Sequence, residues 1–145
     1  MSQGSTTPDL AELTRRFVET WNRRDLDAWM GFFAPDAVWE VPALGTSVEG
    51  AAAIRSFGEE WFVAFAQYEV QPEEILDLGN GVVFAATRQN LRPAGSGGGA
   101  RLQEVWVYAF VWVEGMLVQS TIYPDPDEAR AAAERLAEER AQADV

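Results

Sequence analysis

The sequence contains no cysteine and no histidine, and all 11 of its basic residues are arginine. The missing cysteines exclude disulfides, thiolate metal sites and cysteine nucleophiles. The missing histidine and lysine exclude a serine–histidine relay, a histidine metal site, a lysine Schiff base and a P-loop lysine. Any chemistry must therefore come from carboxylates, tyrosine, arginine, hydroxyls, amides and backbone dipoles. No run of alternating acidic residues resembles an all-oxygen metal site, so we predict neither a metal nor a cofactor.

Positive charge is also scarce, since the formal net charge is -12 at pH 7. Nucleic acids and anionic membranes are bound through clustered basic side chains, so we expect neither as a partner. The sequence has no apolar run of about 18 residues and no basic, apolar leader, which predicts a soluble cytoplasmic protein. Its 145 residues predict a single domain over 1–145, with a core at about 8–125 and a C-terminal helix at about 126–141.

The spacing of apolar residues changes along the chain from a helical period to strand alternation. Three helices are predicted first: one capped by Thr7 that runs to about Asn22, a short one capped by Asp25 that ends at Pro35, and one that ends near Gln67. The predicted strands are 36–42, 68–77, 82–92, 101–113 and 116–123, with a loop over 43–50. Helices followed by an antiparallel meander indicate an α+β domain with helices packed on one sheet face.

The stretch "EVWVYAFVWV" shows the alternation most clearly. Side chains of a strand point alternately to its two faces. One face of this strand therefore carries an acid and four rings, whereas the other carries only valine and alanine. The aromatic face is expected to meet the helices. The valine face then has no cover, and a second copy of the chain is the simplest one, so we predict a homodimer through the outer sheet face.

The hairpin between strands 82–92 and 101–113 predicts a polar site on the helix-facing wall. A turn centred near Ser96 sets Arg88 opposite Glu104 and places Asn90 and Tyr108 on the same wall. A slip of one residue would turn one of the strands inside out. Two interpretations of the pair stay open: it lines a ligand cavity, or it neutralises two half-exposed charges at the sheet rim.

Several motifs, in this order and spacing, resemble those of a known family. They are "FVETWNRRDLDAWMGFFAPDAVWEVP", then "AIRSF", then "VWVYAFVWVEGMLVQSTIYPD", within a stretch from about Ala11 to Ala133. They resemble SnoaL-like proteins of the nuclear transport factor 2 (NTF2-like) superfamily. The resemblance implies a cone of three N-terminal helices on a curved, mainly antiparallel sheet, with a C-terminal helix, a pocket in its open mouth and dimerisation through the sheet. The superfamily includes polyketide cyclases, ketosteroid isomerases, epoxide hydrolases and non-catalytic proteins, so the fold does not fix the activity.

The resemblance also shows which catalytic residues are missing. The tyrosine and the two aspartates of ketosteroid isomerases match Phe17, Val41 and Tyr108, so that chemistry is not expected, although Tyr108 can still donate a hydrogen bond to a developing oxyanion. The arginine of limonene-type epoxide hydrolases matches Arg88, but Asn90 and Ile122 stand in place of its two aspartates.

Only two carboxylates, Glu104 and Glu40, are left that could reach the pocket, and strand parity favours Glu104. We therefore predict Glu104, Tyr108 and Arg88 as catalytic residues. The expected substrate-binding residues are Asn90, Trp106, Phe17, Trp21, Trp39, Val41, Phe110 and Ile122. Two functions stay open. One is a cofactor-independent acid–base enzyme of cyclase, isomerase or dehydratase type that acts on a hydrophobic oxygenated metabolite. The other is a non-catalytic ligand-binding or accessory dimer, which the missing aspartates favour.

Overall fold

The computed structural model describes residues 9–95 and 102–143. The helices are α1 (Leu10–Asn22), α2 (Leu26–Met30), α3 (Ala51–Ala64) and α4 (Pro126–Ala143), and a 3-10 turn covers Pro42–Leu44. The strands are β1 (Phe33–Val41), β2 (Thr46–Glu49), β3 (Phe65–Gly79), β4 (Val82–Pro93), β5 (Leu102–Val113) and β6 (Met116–Tyr123). Among the helices described, none combines the length and the apolar character needed to cross a membrane. The cytoplasmic location stays a prediction.

The six strands form one sheet in the order β2-β1-β6-β5-β4-β3. Neighbouring strands are antiparallel, with the exception of the parallel pair β1 and β6. Helices α1, α2 and α3 pack on one side of the sheet, the inner face. Helix α4 packs on the opposite side, the outer face. This arrangement confirms the predicted α+β class, a curved and mainly antiparallel sheet with three N-terminal helices and a C-terminal helix.

Side-chain hydrogen bonds fix both ends of α1. Asp9 caps its first turn by accepting hydrogen bonds from two backbone amides at 3.1 and 3.3 Å. The predicted cap, Thr7, lies outside the described residues. At the other end, the Asn22 side chain donates to the carbonyl of Val70 and accepts from its amide, both at 2.8 Å. Because β3 is an edge strand, the backbone groups of Val70 on its open side have no neighbouring strand to bond to. The side-chain amide of Asn22 bonds to them instead and attaches α1 to the sheet.

Several boundaries differ from the sequence prediction. Helix α3 ends at Ala64, short of Gln67, and β3 begins at Phe65 and runs to Gly79. Strand β1 begins at Phe33, so Phe32 and Phe33 do not belong to the second helix. The reason is tertiary: Phe33 pairs with Leu117 of β6, and the amide of Leu117 donates to the carbonyl of Phe32 at 2.7 Å. The loop expected over 43–50 contains β2, which pairs with β1 through Trp39 and Val48. The start of β1 depends on a partner distant in sequence, whereas β2 is the return strand of a short hairpin with β1.

The predicted register between β4 and β5 is wrong by one residue. Arg88 pairs with Val105, and Gln89 pairs with Glu104. The expected facing pair of Arg88 and Glu104 is therefore not formed, and Arg88 and Asn90 lie on the outer face. Strand β4 has apolar residues at both odd and even positions, and both of its faces are covered by helices. Its hydrophobic pattern consequently favours neither parity, which is the condition under which a register is poorly specified by sequence.

Helix α4 covers the valine face of β5. The homodimer was predicted because this face had no cover, and that premise is wrong at the centre of the sheet. This outer cluster is Val82, Phe84, Val107, Ala109 and Val111 from the sheet, with Ala129, Ala133 and Ala137 from α4. Alanine at every fourth position lets the helix approach the sheet closely while its other sides stay polar. Dimerisation itself stays a prediction.

Candidate functional site

The inner face encloses a cavity between the sheet and helices α1 to α3. Its volume is about 50 Å³, whereas ligand pockets typically have roughly 300–1,000 Å³. The lining residues are mostly aromatic: Phe17, Val18, Trp21, Trp29, Trp39, Phe57, Trp61, Tyr68, Val70, Thr87, Trp106, Tyr108 and Phe110. As it stands, the cavity admits a few waters or a very small molecule. A larger ligand requires some of these side chains to move.

The inner end of the cavity is a closely packed group of rings. Phe17 of α1 stacks on Trp29 at a centroid distance of 5.8 Å and meets Phe110 of β5 edge-on at 5.9 Å. Trp29 fits beneath α3 because residue 58 is glycine: a Cβ atom on Gly58 would lie 3.0 Å from the Trp29 ring. These rings are nearly inaccessible to solvent, so this end of the cavity has a defined shape.

The mouth of the cavity is formed by two half-buried tryptophans. Trp61 of α3 and Trp106 of β5 meet edge-on, with ring centroids 5.8 Å apart. The indole nitrogen of Trp106 donates a hydrogen bond to Oε1 of Glu104 at 2.9 Å. Glu104 is exposed, as its position near the start of β5 requires. The carboxylate therefore lies at the rim of the cavity and orients one of the rings at its entrance.

Tyr108 is the polar residue at the centre of the cavity wall. Its ring is buried and stacks on Phe110 at 5.0 Å. Its hydroxyl oxygen accepts a hydrogen bond from Nε2 of Gln89 at 3.0 Å. Burial raises the pKa of Tyr108 far above the usual tyrosine value, and the hydrogen bond from Gln89 offsets only part of this effect. The phenol is therefore protonated at neutral pH.

Tyr68 of β3 is the second tyrosine in the lining. Burial raises the pKa of Tyr68 far above its usual value, and the proximity of Tyr108 and Glu104 raises it further. The cavity thus presents two neutral phenols. Its lining residues carry no formal charge at neutral pH.

Gln89 is the functional residue that the sequence analysis missed. It is fully buried on the inner face, and its Nε2 also lies 3.1 Å from Oγ1 of Thr87. The Thr87 hydroxyl in turn donates to the backbone carbonyl of Trp106 at 3.0 Å. The assumed parity of β4 had placed both residues outside. The hydrophobic pattern of β4 favours neither parity, so the available signal was the charge of Arg88, which favours the odd positions as the inner ones.

The structure brings most of the predicted residues to the cavity. Those that line it are Phe17, Trp21, Trp39, Trp106, Tyr108 and Phe110. Val41 and Ile122 pack in the inner core without contributing to the cavity wall.

The predicted polar partners lie elsewhere. Arg88 is on the outer face, where its Nη2 contacts Oε2 of Glu73 at 2.8 Å. Asn90 is also on that face, and its Oδ1 accepts a hydrogen bond from Gln103 at 3.0 Å. Arg88 and Asn90 therefore cannot touch a molecule bound in the cavity.

Glu40 likewise faces outward, as the parity of Trp39 and Val41 had suggested. Its Oε1 accepts hydrogen bonds from Gln119 at 3.2 Å and Thr121 at 3.5 Å. Within 9–95 and 102–143, no group of three or more acidic side chains is arranged to hold a metal ion.

Four polar atoms of the inner face are buried without a hydrogen-bond partner in the described part of the chain: the indole nitrogens of Trp21 and Trp39, Oε1 of Gln89 and Oγ of Ser120. Both tryptophans line the cavity. A buried N–H without an acceptor is unfavourable, since it loses its hydrogen bonds to water and gains none in return. A molecule that brings acceptors into the cavity would remove this cost.

The chain belongs to the family of SnoaL-like domains, which matches residues 14–120. This match confirms the resemblance drawn from the sequence motifs. No curated protein sequence matches the chain significantly.

Solved structures support the same fold at low sequence identity. An NTF2-like protein of unknown function from Burkholderia pseudomallei is 20% identical, with a TM-score of 0.68 over 84% of this chain and 95% of that one. A proposed SnoaL-like polyketide cyclase from Jannaschia sp. is 18% identical, with a TM-score of 0.67 over 92% and 98%. A protein from Catenulispora acidiphila with a ketosteroid isomerase-like fold, solved in complex with trimethylamine, is 13% identical, with a TM-score of 0.70 over 88% and 94%.

Proposed function

We propose that this protein binds a small, largely apolar molecule carrying an oxygen acceptor in the inner-face cavity, and that Tyr108 donates a hydrogen bond to that oxygen. One observation carries the proposal. The Tyr108 hydroxyl accepts from Gln89, but its own proton has no acceptor among the described residues. The cavity wall around it is aromatic. An oxygen atom of a ligand would satisfy this donor while the rest of the molecule contacts the rings.

The absence of positive charge in the lining disfavours an anionic ligand. An anion bound among these rings would lose its hydration without gaining a partner of opposite charge. The trimethylamine complex of the Catenulispora acidiphila protein supports a small molecule as the kind of ligand this fold accepts. A ligand larger than the present cavity would enter by displacing Trp61 and Trp106, which are half-buried at its mouth.

A cofactor-independent acid–base enzyme of cyclase, isomerase or dehydratase type is the second candidate. It is supported by the position of Glu104 and Tyr108 on the same side of β5. These residues are four positions apart, which corresponds to roughly 13 Å along a strand. Proton abstraction next to a carbonyl requires the base much closer to the oxyanion donor. Only a substrate that extends from Tyr108 to the rim could use both groups, so we favour binding over catalysis.

Binding is tested with acetophenone, an apolar ketone that is larger than the present cavity and would enter by displacing Trp61 and Trp106. We expect calorimetry to detect binding to the wild-type protein and to Val105→Phe, because Val105 is an exposed residue of the outer face. In Val70→Phe the added ring fills the cavity, so binding should disappear while the protein stays folded by circular dichroism. Equal affinity in Val70→Phe and the wild type would place the binding elsewhere and contradict the proposal.

The same ketone separates the two candidates. An acid–base enzyme of this kind would accelerate exchange of the methyl protons of acetophenone with solvent deuterium, which NMR measures directly. The enzymatic alternative requires that this acceleration disappear in both Glu104→Gln and Tyr108→Phe. We expect instead that the wild-type protein binds the ketone without accelerating exchange.

A further inference from the structure

Three hydrogen bonds connect the backbone of β5 to the hydroxyl of Tyr108. The Thr87 hydroxyl lies 3.0 Å from the carbonyl oxygen of Trp106. Nε2 of Gln89 lies 3.1 Å from the Thr87 oxygen and 3.0 Å from the Tyr108 oxygen. Thr87 and Gln89 are only 1% and 0% exposed, so solvent does not compete for these bonds.

The chemistry of the groups fixes the direction of each bond. A backbone carbonyl can only accept, so Thr87 uses its single proton on Trp106. The Thr87 oxygen must then accept from Gln89, which requires the amide nitrogen, and not the amide oxygen, to face it. With the amide in that orientation, the second N–H of Gln89 points to Tyr108, and the phenol oxygen accepts. The proton of Tyr108 takes no part in this chain and is free for another acceptor.

We propose that Thr87 and Gln89 are positioning residues that keep Tyr108 a hydrogen-bond donor toward the cavity, so that the cavity selects carbonyl compounds over the matching alcohols. The inference rests on the proposed ligand binding and deepens it. The unpaired indole donors of Trp21 and Trp39 also favour a ligand that brings hydrogen-bond acceptors. A carbonyl compound brings only acceptors. The hydroxyl proton of an alcohol that accepts from Tyr108 would face these indole donors, and the acceptors left to it are the oxygen of Tyr68 and Oε1 of Gln89, a residue that does not line the cavity.

The test compares acetophenone with 1-phenylethanol, which have the same carbon skeleton. An unpaired buried donor reduces affinity by roughly 5- to 100-fold, so we expect calorimetry to show the ketone bound at least about fivefold more tightly by the wild-type protein. Thr87→Ser keeps the hydroxyl and should keep this ratio.

Two variants interrupt the chain at different points. In Thr87→Val the Gln89 amide is free to turn and accept the Tyr108 proton through its oxygen. In Gln89→Leu the lone pairs of Tyr108 become available to a ligand hydroxyl. Both changes should bring the ratio of the two affinities close to one, and either variant is sufficient if the other does not fold.

A spectroscopic measurement distinguishes positioning from a merely structural role. The carbonyl stretch of carbon-13-labelled acetophenone should shift to lower frequency when Tyr108 donates to it. We expect this shift in the wild type and in Thr87→Ser, a weaker or heterogeneous band in Gln89→Leu, and no shift in Tyr108→Phe.

Different results would contradict the ligand binding and the positioning role. If neither compound binds, the proposed function is wrong. If both bind equally well to the wild type, or if the preference for the ketone survives in Thr87→Val and Gln89→Leu, the positioning role is wrong and the binding function stands.

Discussion

The two faces of the same sheet are buried by opposite means. The inner face is covered by large rings from three helices and retains a cavity of about 50 Å³. The outer face is covered by α4, whose buried contact residues are Ala129, Ala133 and Ala137, with Leu136 partly buried against the same cluster. Large rigid rings rarely fill a concave space completely, whereas small side chains let a helix approach a sheet closely. The difference leaves space on the inner face, where we propose that a ligand binds, whereas α4 closes the outer contact.

The polar residues of the two faces differ in the same way. The inner ones, Thr87, Gln89 and Tyr108, are neutral and bonded to one another. The outer ones include the ion pair of Arg88 and Glu73, whose side chains are 41% and 42% exposed. Burial of a charge is far more costly than burial of a hydrogen-bonded amide or hydroxyl. The charged residues of β4 therefore stay on the face where solvent reaches them.

The largest effect on stability is expected from removing a large side chain on the inner face or adding one on the outer face. Phe17→Ala removes a ring in contact with several others on the inner face and should lower the free energy of unfolding by about 3–5 kcal/mol. Ala133→Leu adds bulk where α4 approaches the outer face and should lower it by about 1–3 kcal/mol. Denaturant unfolding of both variants measures the difference. Tolerance of Ala133→Leu without loss of stability would show that the outer contact is looser than described.

Alkaline pH is expected to have an intermediate effect on stability, because two buried tyrosines of the inner face titrate there. Burial raises the pKa of Tyr68 and the pKa of Tyr108 above the usual tyrosine value of about 10. Between the unfolded and folded pKa values the unfolded chain binds fewer protons, so stability falls as pH rises above about 10, by roughly 1.4 kcal/mol per pH unit for each tyrosine. Below the unfolded pKa this contribution is fully present. Urea unfolding from pH 8 to 11 should show this slope, and the slope should decrease in Tyr68→Phe.

The smallest effect is expected on the outer face next to the cavity residues. Arg88→Leu removes a half-exposed ion pair and should change the free energy of unfolding by no more than about 1 kcal/mol, with acetophenone binding unchanged. The neighbouring change Gln89→Leu should alter ligand selectivity. Calorimetry on this adjacent pair tests the register directly, because an effect of Arg88→Leu on ligand affinity would mean that Arg88 reaches the cavity.

Much of the fold could be predicted from the sequence where the signal is local. Asp25 caps α2 as expected, with its Oδ1 accepting from Ala28 at 3.1 Å. The alternation of β5 correctly placed Trp106, Tyr108 and Phe110 on the face that meets the helices. Aromatic and small residues separate completely on this strand, so its parity is unambiguous.

The sequence by itself determined which chemistry is unavailable, which face of β5 is aromatic, and that helices precede a meander. Only the tertiary structure decided the register of β4 against β5. With this register Thr87 and Gln89 face the inner side of the sheet, where Arg88 and Asn90 had been predicted. The physical reason is that β4 is apolar at both parities, because a helix covers each of its faces. When both sides of a strand are buried, alternation carries no information, and the partner strand chooses the side chains that face the cavity.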